Sequence, residues 1–122
     1  MSISVVVADD SRVMRQIVIR TLRQAGYDWD VREASDGAEA FAAVKAEEPD
    51  VVLSDWNMPN MTGIELLRTL RNAGYQTPFG FVTSEGSPEM RATAEAAGAL
   101  FLIAKPFTPP ESFREVIDPV LA

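Results

Sequence analysis

Asp9, Asp10, Asp55, Thr83 and Lys105 are the residues whose types and positions could do chemistry, because each ends or directly follows a short apolar run. Three carboxylates brought to one place repel. At ~4 Å two unit charges oppose each other by about 4 kcal/mol at an effective dielectric of about 20. A hard divalent cation relieves that repulsion, and few carboxylates supplemented by carbonyls and water suit Mg²⁺, with Mn²⁺ as a plausible substitute. Beside such an ion, the Asp55 carboxylate can attack phosphorus and form an aspartyl phosphate. Lys105 would neutralise one phosphoryl oxygen and Thr83 would donate to another. Asp10 is expected to ligate the metal directly, Asp9 to act through a coordinated water, and Asn57 to offer its backbone carbonyl before Pro59 turns the chain.

For these residues to meet, the runs before them must be neighbouring strands. Five runs qualify: Ile3 to Ala8, Trp29 to Ala34, Val51 to Ser54, Phe79 to Val82 and Leu100 to Ala104. Between them the apolar residues change to helical spacing, as in Met14, Ile17, Val18, Thr21, Leu22 and Ala25, or Gly63, Leu66, Leu67 and Leu70. Ser11, Asp36 and Thr62 read as N-caps, and Gly26, Gly74 and Gly98 as left-handed helix ends. A short fourth helix is expected over Arg91 to Ala97, and a fifth carries Phe113, Val116, Ile117, Val120 and Leu121 on one stripe. Strict alternation of strand and helix predicts a five-stranded parallel sheet, doubly wound, in an α/β three-layer sandwich. In that architecture ligands bind beyond the carboxyl ends of the strands, where strand order reverses. All five candidate residues would then share one edge.

Composition narrows the alternatives. The chain has 122 residues, 47% of them hydrophobic, which suits a single domain over 1–122 with no output domain. It contains neither cysteine nor histidine, which excludes thiolate and Ser/His/Asp catalysis, disulfides and His-based zinc sites. Eighteen acidic residues against eleven basic give a net charge of −7, and no run of Lys or Arg stands out, so nucleic acid is not an expected partner. Neither a signal peptide nor a membrane span is evident, and a cytoplasmic location is expected.

Singly, these residues have plain structural explanations. Asp9 and Asp10 before Ser11 could serve a helix N-terminus, Thr83 and Ser84 a cap, Lys105 a solvated surface, and Met58 and Met61 packing. Their coincidence at four strand ends favours the site. Trp56 reads either as a gate beside the cleft or as packing against the turn at Pro59.

The stretches ADDSRVMR (Ala8 to Arg15), SDWNMPNMTG (Ser54 to Gly63), VTSEG (Val82 to Gly86) and AKPF (Ala104 to Phe107) together resemble a response-regulator receiver domain of the CheY-like, single-domain type. The resemblance covers the whole chain. It implies a two-component phosphoacceptor with a flavodoxin-like fold, Asp55 taking a phosphoryl group from a sensor histidine kinase or phosphotransfer protein. It further implies Mg²⁺ held by Asp10, Asp55 and the Asn57 carbonyl, Thr83 and Lys105 on the phosphoryl group, and only self-catalysed transfer and slow autodephosphorylation. An output protein would dock on the face of the fourth helix, fifth strand and fifth helix, the regulator itself being a monomer, with chemotaxis as one such pathway. The pattern is broken three residues before the lysine, where an aromatic switch is replaced by Leu102, with Phe101 beside it. Glu85 and Asn57 would flank the cleft and tune the lifetime of the phosphoryl group.

Rival readings make different demands. A haloacid-dehalogenase-type phosphohydrolase needs a second Asp two residues after the nucleophile, where this chain has Asn57. A flavin mononucleotide carrier needs a phosphate cradle in its first loop, but ADDSR presents two negative charges. A phosphorylation-independent interaction domain would not require the full set of charged residues.

Overall fold

The computed structural model describes residues 3–84, 86–104 and 111–121, with the side chains of 111–113, 120 and 121 not among those described. Ten elements alternate along the chain: β1 (Ser4–Ala8), α1 (Arg12–Gln24), β2 (Asp30–Ala34), α2 (Gly37–Ala46), β3 (Val51–Ser54), α3 (Gly63–Asn72), β4 (Phe79–Thr83), α4 (Pro88–Ala97), β5 (Phe101–Ala104) and α5 (Glu111–Leu121). The strands form one parallel sheet in the order β2-β1-β3-β4-β5. Strand order reverses between β1 and β3, which opens the crevice above their carboxyl ends.

Side-chain alternation along each strand sorts the core into two layers. Val6, Ala8, Val52, Phe79, Phe81 and Leu102 face α2, α3 and α4, packing with Ala40, Val44, Leu66, Leu67, Leu70 and Ala94. Val5, Val7, Val51, Leu53, Val82 and Ile103 face the other way, onto Val18, Ile19 and Leu22 of α1 and Ile117 of α5. Both sheet faces are therefore covered. The central strand β3 is buried along its whole length, so Asp55 follows directly on a rigid, dry segment.

Helix ends follow their side-chain chemistry. Ser11, Asp36 and Thr62 each accept the backbone N–H three residues on, and Thr62 with Glu65 closes a reciprocal capping box. Gly26, Gly74 and Gly98 hold φ values of 99°, 94° and 104°, which side-chain-bearing residues rarely adopt. The fourth helix begins earlier than the sequence spacing predicts. Ser87 caps it through Met90 N–H and Pro88 occupies its first turn, where a missing N–H leaves no bond unmade. Its weak amphipathicity had hidden that first turn.

Helical periodicity also gathers charge that is scattered in sequence. Helix α1 carries Arg12, Arg15, Arg20 and Arg23 and no acidic residue, and Arg12, Arg20 and Arg23 are exposed. The absence of a basic run in the sequence thus does not preclude a basic helix in the fold. Among the described residues no helix is long and apolar enough to cross a membrane.

Candidate phosphoacceptor site

The crevice between β1 and β3 is built by backbone hydrogen bonds before any side chain enters it. Asp55 N–H donates to the Ala8 carbonyl at 2.8 Å, and Asp9 N–H donates to the Ala34 carbonyl at 3.0 Å. These bonds extend the parallel ladder by one residue past each strand, so both aspartates leave the sheet at the same level. Asp9 Oδ1 then accepts Ser11 N–H at 2.9 Å, and Asp55 Oδ1 accepts its neighbour Trp56 N–H at 2.8 Å. Each carboxylate is thereby held by the chain just after it.

One oxygen from each of Asp9, Asp10 and Asp55 lies within 4.8 Å of the others. Asp9 is buried, at 3% exposure, Asp55 is half-buried and Asp10 is exposed, so the cluster has a closed floor and an open mouth. Three hard anionic oxygens in that space fit a hard divalent cation that keeps several waters on its open side. Thr83 is the last residue of β4, fully buried, and pairs across to Ala104 on β5. Lys105 and Glu85 lie outside the described residues.

Several residues that the sequence did not single out shape the site. Arg15, one turn into α1, donates from Nη1 to the Asp9 carbonyl at 2.7 Å and from Nε to Glu33 at 2.9 Å, holding the β1–α1 loop against β2. Ser54 is fully buried and donates to the Asp55 carbonyl at 2.8 Å. Gly63 opens α3 directly against that carbonyl: a Cβ there would lie 2.1 Å from the Asp55 oxygen and 2.8 Å from Phe81 Cε1. Both Arg15 and Gly63 stand inside the quoted motifs, but their roles depend on approaches that spacing alone does not reveal.

Of the two readings of Trp56, the structure bears on packing. Its half-buried ring packs against Phe81 in the core, with centroids 4.7 Å apart. It therefore couples the residue after Asp55 to the core beneath α3 and α4. Asn57, two residues past Asp55, is exposed and Met58 is buried. Asn60, with φ 65°, is the only non-glycine residue at positive φ among those described. Its Nδ2 donates to Asp36 Oδ2 at 2.8 Å. The Asp36 carboxyl is held below the usual carboxylate range, chiefly by the Glu39 N–H and then by the Asn60 amide.

Leu102 and Phe101 occupy opposite faces of β5. Leu102 joins the layer under α4, whereas Phe101 packs with the α1/α5 layer over Gly80, where a Cβ would lie 2.1 Å from its ring. Phe101 thus does not stand in for the aromatic missing at position 102. On the α4 side, Arg91 donates to the Leu102 carbonyl at 3.2 Å and to the Gly86 carbonyl at 3.3 Å, tying α4 to the β5 edge and to the β4–α4 loop.

The strand order, the acidic crevice and Thr83 at the end of β4 together define a doubly wound α/β protein with an acidic candidate site at its topological switch point. The chain belongs to the response regulator receiver domain family, whose pattern matches residues 5–117. It is 40% identical over 118 residues to the chemotaxis protein CheY1 of Helicobacter pylori, covering 94% of each chain. It is 42% identical over 118 residues to a chemotaxis protein CheY homologue of Campylobacter jejuni, covering 94% of this chain and 89% of that one. The solved structure of Vibrio cholerae chemotaxis protein CheY4 superposes with a TM-score of 0.85 at 38% identity, over 98% of this chain and 99% of that one. These likenesses place the chain among signalling receivers and leave the phosphohydrolase alternative without support.

Proposed function

We propose that this protein is a cytoplasmic response regulator that switches partner binding when Asp55 is phosphorylated. The observation that carries the reading is the meeting of Asp9, Asp10 and Asp55 within 4.8 Å at the reversal of strand order. Asp10, Asp55 and the Asn57 carbonyl would hold Mg²⁺, or Mn²⁺ in its place, and Asp9 would hold one of its waters. The ion supplies charge neutralisation for the incoming phosphoryl oxygens.

The protein's own residues then perform the transfer. An Asp55 carboxylate oxygen attacks phosphorus, the bond to the donor's imidazole nitrogen breaks, and the electron pair stays on that nitrogen. Burial of Val51 to Ser54 and the Ser54 bond to the Asp55 carbonyl keep the nucleophile in line. Donor and regulator would be a sensor histidine kinase, or a phosphotransfer protein, and a monomeric receiver. Asn57 offers no carboxylate to activate water, which accords with slow autodephosphorylation instead of phosphatase turnover.

Phosphorylation adds about two negative charges and three acceptor oxygens. These draw Thr83, and Lys105 with it, toward the crevice. A single charge-assisted hydrogen bond contributes about 1.5 to 3 kcal/mol, whereas moving a surface from about 1:99 to 99:1 takes ~5.5 kcal/mol. Docking of an output protein on α4, β5 and α5 completes the shift. A groove of about 260 Å³ between α4 and β5, lined by Arg91, Ala94, Glu95, Leu100 and Leu102 among others, supports that face. The relatives named as chemotaxis proteins make a chemotaxis pathway the favoured setting.

Beryllofluoride with Mg²⁺ mimics the phosphoryl group and should change Trp56 fluorescence in a Trp29→Phe background. The change should vanish in Asp55→Asn. A silent Trp56, or a signal indifferent to that substitution, would contradict the assignment.

A further inference from the structure

The loop from Asp55 to Thr62 supplies the one backbone ligand in the metal set, the Asn57 carbonyl, and its geometry is fixed from outside that set. Its near end follows β3 through the Asp55 N–H bond to Ala8. Met58 is buried in the α2/α3 layer, 7% exposed, so the peptide joining Asn57 to Met58 is tethered on its C-terminal side. Pro59 restricts Met58 to extended conformations. What could still swing this peptide is the far side of the loop, Pro59 to Met61.

That side is held by α2. Asn60 adopts a left-handed conformation, which asparagine tolerates better than most side-chain-bearing residues, and its amide reaches Asp36 Oδ2 at 2.8 Å. Asp36 uses its other oxygen, Oδ1, to cap α2 through Glu39 N–H at 2.8 Å. The next residue, Gly37, comes so close that a Cβ would lie 2.5 Å from the Met61 carbonyl oxygen. A single carboxylate thus starts α2 and clamps the loop that follows the phosphoacceptor. Glu39 steadies the same turn by accepting Ser35 N–H at 2.9 Å.

We infer that Asp36 and Asn60 are a positioning pair that presents the Asn57 carbonyl to the metal, so that α2 sets the affinity of the site without touching it. This rests on the phosphoacceptor reading above. Outer residues that orient ligands typically change metal affinity by about 10- to 100-fold when removed. A bond one loop away from a single neutral ligand belongs at the lower end of that range.

Two substitutions separate positioning from folding. Asp36→Ser keeps a helix N-cap but is too short to reach Asn60, and Asn60→Gly keeps the left-handed backbone while losing the amide. Mg²⁺ alone is titrated against Trp56 fluorescence in the Trp29→Phe background, beside a thermal melt. Each variant should weaken Mg²⁺ binding about tenfold, and the double variant should weaken it no more than either single one, since both break the same bond. Wild-type affinity in the variants, whether or not their melting temperature falls, would overturn the positioning role. Should Asp36→Ser fail to fold, Asn60→Gly alone decides. If the unsubstituted protein shows no Mg²⁺ response that Asp55→Asn removes, the phosphoacceptor reading falls first and this pair with it.

Discussion

A methyl group at Gly63 would lie 2.1 Å from the Asp55 carbonyl oxygen and 2.8 Å from Phe81, two positions that cannot both give way. Gly63→Ala must push α3 off the crevice or rotate the peptide that carries the nucleophile. Overpacking of this kind typically lowers stability by about 1 to 3 kcal/mol, and here backbone stands on one side of the contact. Urea denaturation should show a loss at or above that range, together with weaker Mg²⁺ binding. The residue scale is also where sequence reading reaches its limit. Asp9, Asp10, Asp55 and Thr83 were legible because each ends or follows a strand and its chemistry is intrinsic to its side chain. Gly63, Ser54 and Arg15 were not, because their parts consist of close approaches and bonds to carbonyls contributed by distant segments. Leu102 announced itself as a departure, but only the alternation along β5 shows Phe101 on the opposite face.

At the scale of elements, the strands were readable as unbroken apolar runs, since a parallel sheet covered on both sides needs nothing polar until its ends. Observed strand limits differ from the expected ones by one residue or none: β4 runs on to Thr83, and β1, β2 and β5 each begin one residue later. Helices α1 and α3 were equally plain from their stripes and caps. Helix α4 was not, for it buries little and its first turn is set by Ser87 and Pro88 instead of by periodicity. Its N-terminus therefore depends on a side-chain bond, Ser87 Oγ accepting Met90 N–H at 3.1 Å. Ser87→Ala should lower stability by ~1 kcal/mol and should speed hydrogen exchange in the first turn of α4 more than elsewhere. Equal exchange in α4 before and after the substitution would contradict that dependence. Arg91, which links this helix to Gly86 and Leu102, gives the loosened turn a direct route to the β5 edge.

For the whole molecule, charge links stability to pH. Asp36, Glu65 and Asp118 are each held below the ordinary carboxylate range: Asp36 by the Glu39 N–H, Glu65 by the Thr62 N–H and hydroxyl, and Asp118 by the Tyr27 hydroxyl. A carboxyl whose folded value is depressed contributes stability that is fully present above its unfolded value, about 3.9 for Asp and about 4.3 for Glu, and is lost as pH falls through the folded value. The melting temperature should thus hold near neutrality and decline below about pH 4, with Thr62→Val shallowing the decline by removing the hydroxyl that Glu65 accepts. Glu65 is exposed and Asp36 and Asp118 are half-buried at the surface, so added salt should blunt the effect. Tyr27 is shifted the other way, its phenol raised by burial and by Asp118, so its contribution is complete below ~10 and is lost as pH rises toward the folded value.

The doubly wound layout brings the ends of β1, β3 and β4 to one edge, where Asp55 would accept a phosphoryl group with Mg²⁺ beside it. Incubation with acetyl phosphate, followed by intact-mass measurement and peptide mapping of the adduct, tests it most directly. The expected result is the mass of a single phosphoryl group on Asp55, present with Mg²⁺, absent with a chelator and absent in Asp55→Asn. An adduct on another residue, or one that forms equally well in Asp55→Asn or without the metal, would contradict it.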